Sequence, residues 1–206
     1  MPSKTSPLGG LGMKICFVAN SYPTLPQFGG IAAYTRTAAL ALAARGHEVH
    51  VLIPNPSAAN DEATDGPVHL HLRPVRWMPI LGKWLVGLGE SICVAWWLLF
   101  LHRKYRFDLV EFPNWEGIGL VSTLLRIAPI VVRLHTSTAD SIAVSKRQPK
   151  RGEAFLIWSE KWSAKMALNV VTHTRTHRDN LQPGIYFLKL RAGQSFTMRK
   201  LIIQSN

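Results

Sequence analysis

Residues 14–20, Lys-Ile-Cys-Phe-Val-Ala-Asn, form a short apolar run that does not alternate. A strand with one wet face alternates apolar and polar side chains. A strand covered on both faces does not, and covering both faces calls for a parallel sheet between helical layers. The next residues fit that demand. A Pro- and Gly-containing loop runs from Ser21 to Gly30, after which Ile31, Thr35, Ala38 and Leu42 share one helical face and Gly46 closes the helix. Glu48 to Ile53 reads as a second strand, stopped by Pro54. Residues 14–53 thus form one strand–loop–helix–strand unit, whose crossover is expected to be right-handed.

The pattern continues. Residues 55–67 are small and polar and read as a surface loop, and Val68 to Leu72 as a short alternating strand. Leu81 to Tyr105 reads as a helix, Asp108 to Phe112 as a strand, Trp115 to Ile127 as a helix and Ile130 to Leu134 as a β-branched strand. Residues 136–150 read as a polar, basic loop, followed by a helix from Arg151 to Ala167 and a strand from Asn169 to Thr172. Strands alternating with helices predict an α/β fold with a doubly wound parallel sheet. The last residues break this order. Gly184 to Leu190 and Phe196 to Ile203 are two strand-like runs around Arg191-Ala192-Gly193-Gln194, which predicts an antiparallel hairpin.

Composition narrows the class. With 47% hydrophobic and 17% charged residues in 206, the chain is expected to fold and not to be disordered. A net charge of +12 attracts polyanions, whether nucleic acid, anionic lipid or nucleotide phosphates, and does not choose among them. Cys16 and Cys93 are too few for a disulfide framework, so a reducing, cytoplasmic setting is expected. Residues 1–12 read as a loose extension and not as a signal peptide. The apolar run Ile92 to Leu101 is short of the roughly 20 residues a membrane span needs. It is bounded by Glu90 and by His102-Arg103-Lys104, which suggests a buried or interfacial helix.

In open α/β sheets, ligands sit beyond the carboxyl ends of the strands, and three segments fall there. Phe28-Gly29-Gly30 opens a helix whose free N–H groups and positive dipole end suit a phosphate or sugar. A plain strand-to-helix turn would read the same way. Glu111-Phe112-Pro113-Asn114-Trp115-Glu116-Gly117 offers Glu111 and Glu116 to sugar hydroxyls and Trp115 as a stacking platform, or else Glu116 decorates a helix start. Arg133-Leu134-His135-Thr136-Ser137-Thr138 ends another strand, where His135 is placed to exchange a proton or bond a hydroxyl. No Gly-x-Gly-x-x-Gly and no Gly-Lys-Ser/Thr occurs, which argues against a dinucleotide-binding oxidoreductase and a phosphate-loop enzyme. His47/His50, His69/His71 and His173/His177 have metal-compatible spacing but no companion acids or thiols, so no metal is expected. The basic runs at 102–106 and 146–151 read as solvated surface, or as a membrane-facing patch beside an apolar helix.

Three stretches together resemble family 4 glycosyltransferases. Met13-Lys14-Ile15-Cys16-Phe17-Val18 leads to Phe28-Gly29-Gly30-Ile31 and then to Arg45-Gly46-His47-Glu48-Val49-His50-Val51, which is similar to that family's opening. Phe107-Asp108-Leu109-Val110-Glu111 and Val131-Val132-Arg133-Leu134-His135-Thr136 are similar to two of its later strands. The resemblance covers residues 13–181 and implies the N-terminal, acceptor-side domain of a two-domain, Rossmann-like GT-B fold. It implies retaining transfer from a sugar-nucleotide donor to a lipid or saccharide acceptor, with no metal or other cofactor. It implies His135 as the catalytic contact to the transferred sugar. Gly29, Gly30, Glu111, Trp115, Glu116, Arg133 and Thr136 would bind donor or acceptor. The paired glutamates and basic pair that hold the nucleotide belong to the family's other domain, and Glu153 and Glu160 have the wrong spacing and lie in the wrong half.

Thr174 stands where the family tends to have serine. Residues 182–206 instead resemble the final hairpin of type IX secretion sorting domains, as though joined near Leu181 by a fusion or frameshift. Three parts are therefore expected: 1–12, 13–181 and 182–206. As one wall of a cleft, the chain is expected to be inactive alone, at the inner face of a membrane or free in the cytoplasm, with no nucleic-acid partner. The alternatives are a non-catalytic sugar-binding or membrane-associated module and a protein exported by its tail.

Overall fold

Residues 12–23, 29–55, 60–75, 85, 87–150 and 152–172 are described by a computed structural model, together with the backbone alone of 184–192 and 195–203. Seven strands form one sheet in the order β3-β4-β2-β1-β5-β6-β7. They are β1 (Lys14–Val18), β2 (Glu48–Asn55), β3 (Asp61–Asp65), β4 (Val68–Pro74), β5 (Leu109–Pro113), β6 (Ile130–Leu134) and β7 (Asn169–Thr172). All neighbours pair in parallel except β3 with β4. The chain leaves β1 toward β2 and later returns to β1's other side as β5. That reversal makes the β1–β5 seam a switch point, where the crevice of an open α/β sheet opens.

The sheet separates two cores. On one face, Ile15, Phe17, Val49, Val51 and Leu70 pack with α1 (Gly30–Ala43). On the other, Cys16, Val18, Leu52, Val110, Phe112 and Val132 meet Val94, Leu98 and Leu101 of α2 (Leu88–Tyr105). α3 (Leu120–Leu124) and α5 (Glu153–Met166) complete that second layer. Adjacent β1 residues feed opposite cores, which is why the strand has no polar side. Burial pushes the Cys16 thiol up to about 12, so it is an inert core group.

Several boundaries differ from expectation. β2 does not stop at Pro54 but runs to Asn55. Leu52 accepts from Ala19 on the β1 side and Asn55 accepts from Val75 on the β4 side. By alternation Pro54 faces β1, which has already ended, so its missing N–H costs no ladder bond. Part of the loop expected at 55–67 is β3, an edge strand of sequence Asp-Glu-Ala-Thr-Asp. It is joined to β4 by Gly66 and Pro67, with Gly66 at φ 58, as a two-residue hairpin turn requires. Residues 136–150 contain α4 (Thr138–Val144), started by a capping box between Ser137 and Asp140.

The helix expected from Trp115 to Ile127 is broken. Trp115–Gly117 is one 3-10 turn, and only Leu120–Leu124 is α-helical. Glu116 at φ 55 and Gly117 at φ 63 are left-handed. A Cβ on Gly117 would lie 2.0 Å from Ser159 Oγ, so α5 approaches too closely for any other residue there. α2 begins at Leu88; residues 81–84 of the longer helix expected lie outside the described residues. At the C-terminal end, β8 (Gly184–Ala192) and β9 (Ser195–Ile203) pair antiparallel as a separate two-stranded sheet. Among the described residues, no helix is long and apolar enough to cross a membrane.

Candidate functional site

The carboxyl ends of β1, β5 and β6 border one cleft of about 770 Å³. Asn20 and Ser21 follow β1. Gly29, Gly30, Ile31, Ala32 and Tyr34 come from the start of α1, Pro113 and Trp115 from the end of β5, and Arg133, His135 and Thr136 from the end of β6. Six of the eight residues singled out from sequence therefore line one space. Phe28 lies outside the described residues.

One floor of the cleft is an ion pair. Arg133 Nε donates to Glu111 Oε1 at 2.8 Å, and its Nη2 donates to Oε2 at 3.1 Å. Tyr34 adds its hydroxyl to the same carboxylate at 3.1 Å. The Arg133 guanidinium lies 4.3 Å from the Tyr34 ring centroid, and the Tyr34 ring meets the His135 ring edge-on at 5.8 Å. Burial, and then the Glu111 charge, pushes the Tyr34 hydroxyl above its ordinary range, so it stays a neutral donor. Burial pulls Arg133 down, but its bonds to Glu111 more than reverse this and the guanidinium ends above its usual value. Glu111 is therefore committed to Arg133 and Tyr34, and its place is beneath the cleft.

A second set of bonds fixes the loops. The His135 backbone N–H donates to Asn114 Oδ1 at 2.7 Å, and the Asn114 backbone N–H donates to the Arg133 carbonyl at 3.0 Å. Buried Asn114 thus locks the end of β5 to the end of β6. Glu160 of α5 then reaches both following loops. It accepts from the Glu116 N–H at 3.0 Å and from the Thr138 hydroxyl at 2.6 Å and N–H at 3.1 Å. Glu116 itself does not line the cleft. Its carboxyl is raised by burial, as are those of Glu90 and Glu160.

The opening of α1 has no side-chain cap, and a Cβ on Gly29 or Gly30 would meet nothing within 4 Å. These glycines are not required by packing; they leave the helix N-terminus open to the cleft. Sequence reasoning missed Tyr34 and Asn114. Tyr34 had a signal, since it stands one helical turn after Gly30. Asn114 had only its position after a strand.

The histidines do not group by their sequence spacing. His50 Nδ1 lies 2.9 Å from His71 Nε2, and His50 Nε2 lies 3.0 Å from Glu48. His47 instead accepts from the Met13 N–H at 3.1 Å. Among the described residues no three His, Cys, Asp or Glu side chains are grouped to hold a metal. His173 and His177 lie outside them.

Residues 29–185 match the family model described as a glycosyl transferase 4-like domain. The chain belongs to that family. No curated protein matches it. Among solved structures, this glycosyl transferase 4-like chain is similar to a sucrose-phosphate synthase from Thermosynechococcus elongatus, with TM-score 0.61 and 18% identity, over 81% of this chain and 44% of that one. It is also similar to the catalytic domain of starch synthase IV from Arabidopsis thaliana, solved with ADP and acarbose, with TM-score 0.53 and 12% identity over 82% and 46%. It is similar as well to an E. coli trehalose-6-phosphate structure bound with UDP-2-fluoro glucose, with TM-score 0.50 and 13% identity over 90% and 46%. At such identities the likeness is one of fold, a GT-B glycosyltransferase fold, and the chain spans less than half the length of these three structures. Nothing in these comparisons supports the type IX secretion resemblance of the tail.

Proposed function

We propose that this glycosyl transferase 4-like domain forms the acceptor-side wall of a site that moves a sugar, with retention, from a sugar nucleotide to a lipid or saccharide acceptor. The observation that carries the reading is the convergence of an uncapped, glycine-opened helix N-terminus with His135, Thr136, Trp115 and Arg133 in one cleft. A helix N-terminus suits the negative charge of a diphosphate. An indole suits a sugar face, and His135 suits a hydroxyl of the transferred sugar. In this reading Gly29 and Gly30 touch donor phosphate or sugar, while Glu111 and Glu116 act by holding Arg133 and the Trp115 turn. No cofactor beyond the donor itself is invoked. Peripheral contact with a membrane, where a lipid acceptor would reside, belongs to the same reading, as does a cytoplasmic location.

Residues 1–206 alone are proposed not to turn over. Transfer needs donor and acceptor held near contact, and such orientation is worth about 7–11 kcal/mol. One wall leaves the donor mobile and the leaving diphosphate in water, where fixed dipoles stabilise it less. The purified chain is incubated with a panel of sugar nucleotides and lipid or saccharide acceptors while nucleotide release is followed. Weak donor or acceptor binding that is lost in His135→Ala, without turnover, is expected. Turnover abolished by His135→Ala would overturn the claim of an incomplete site. Absence of all binding would overturn the cleft assignment.

A further inference from the structure

The outward surface of the α2, α3 and α5 layer is unusual for a face bathed in water. From Ser91 to Leu101 the only polar residue of α2 is Ser91, and it is buried, so this part of the helix turns only apolar side chains outward. Trp96 is 67% exposed and Phe100 56%. α3 ends in exposed Leu124 and Leu125, and α5 adds Trp158 and Trp162, 45% and 36% exposed. These elements share one side of the sheet, with α3 between α2 and α5. Large apolar side chains exposed together on three neighbouring helices mark an interaction site.

Charge says what covers it. Exposed positions on or directly after these helices carry Arg103, Lys104, Arg106, Arg126, Lys161 and Lys165. None of the exposed positions within the three helices is acidic. Glu90 and Glu153 are only partly exposed, Glu160 is buried, and Glu153 is bound by Arg147 at 2.8 Å. The exposed acids near α2 are Asp108, which accepts from the Lys14 N–H, and Glu62 of the edge strand β3, which is paired with Arg73 and also acts on Lys104. A symmetric contact between two copies would set this basic surface against itself. A protein interface core tends to exclude lysine. Indole rings flanked by lysines, as where the Lys165 ammonium lies 5.0 Å from the Trp162 ring centroid, suit the boundary between headgroups and acyl chains, with lysine stems laid along the apolar surface and their charges outward.

We propose that the outward face of α2, α3 and α5 is a peripheral docking surface for an anionic phospholipid membrane. Trp96, Phe100, Trp158 and Trp162 insert at the headgroup boundary, and the surrounding lysines and arginines read the negative surface charge. This rests on the proposed function only for its biological sense, since the cleft residues take no part in the contact.

The test uses the full chain with vesicles of phosphatidylcholine alone and of phosphatidylcholine with phosphatidylglycerol, followed by co-sedimentation and tryptophan emission. Binding to the anionic vesicles with a blue-shifted emission is expected, weakening at high salt and on neutral vesicles. Each cation near such a surface contributes about five-fold in affinity, so K161E/K165E is expected to weaken binding roughly twenty-five-fold or more. W96S/F100S is expected to abolish the blue shift, with circular dichroism checking that both variants fold. His135→Ala, in the cleft, is expected to bind vesicles like the parent, so failure of the cleft reading and failure of the docking reading are seen separately. No binding to anionic vesicles, or binding indifferent to K161E/K165E, would overturn the proposal. So would a concentration-dependent dimer that W96S/F100S converts to monomer, which would make this face a contact between copies.

Discussion

Asn114 and His135 are hydrogen-bonded across the ends of β5 and β6, with the His135 N–H 2.7 Å from the Asn114 side-chain oxygen and the Asn114 amide 3.5 Å from the His135 carbonyl. The cleft histidine is therefore positioned through its backbone by a residue only 4% exposed. Asn114→Ala leaves a part-buried N–H without its acceptor and is expected to cost about 1–3 kcal/mol of stability. Urea unfolding measures that loss. Ligand-observed NMR with a sugar nucleotide should show weaker binding in the variant even well below its melting temperature.

Replacing Glu111 tests the cleft floor. Glu111→Ala strands the Arg133 guanidinium, whose side chain is 17% exposed, and removes the acceptor of Tyr34. Losing a charged hydrogen-bond partner in a part-buried place costs on the order of 2–3 kcal/mol. The double variant with Arg133→Ala should recover part of that loss, because no unpaired charge remains. A full additive loss in the double-mutant cycle would show that the pair is not coupled.

Gly30→Ala should separate folding from binding. A Cβ there meets open space and the residue is helical, so the melting temperature is expected to hold or rise slightly. Affinity for a sugar nucleotide is expected to fall, because the added methyl occupies the cleft. A variant that loses stability would mean that the glycine serves the fold instead.

The strands and the site were legible to different degrees. β6 and β7 fall at the expected residues, because each is a short apolar run closed by polar neighbours. β3 was illegible: Asp61 to Asp65 contains no hydrophobic pattern, and its strand state comes from pairing with β4. α4 carried a readable start in Ser137 and Asp140, hidden within a basic stretch. The break at Glu116 had no local signal beyond Gly117, because the bond that fixes it comes from Glu160, 44 positions away. Gly30, Trp115, Arg133 and His135 were findable because strand ends announce themselves, whereas Asn114 works through backbone bonds that no spacing reveals.

Acid is expected to act through the buried imidazoles. Burial first, and the neighbouring His50 next, lower His71 from 6.5 to about 4, and His50 is lowered as well. Glu48, Lys14, Glu62, Arg73, His69 and Tyr105 also face the pair. A base whose folded value is depressed takes up its proton first in the unfolded chain. Its contribution is therefore fully present above pH 6.5 and is lost as the pH falls toward 4, by up to about 3 kcal/mol. The raised carboxyls of Glu90, Glu116 and Glu160 act with the opposite sign, so the comparison must be between the parent and His71→Gln. Urea unfolding at pH 7.5 and 4.5 should show a smaller acid loss in the variant.

β1 lies between a near neighbour and a distant one. Its β2 partner follows after one helix, but its other side closes only when the region of Asp108 arrives, as the bond from the Lys14 N–H across 94 positions records. Short loops close before long ones reward closure. During synthesis the Gly30 wall of the cleft can therefore settle while the His135 wall is still inside the ribosome, and the crevice is completed as a late act of assembly. Pulse-labelled hydrogen exchange on refolding chains should find β2 protected before β6, and simultaneous protection would rule this sequence of events out.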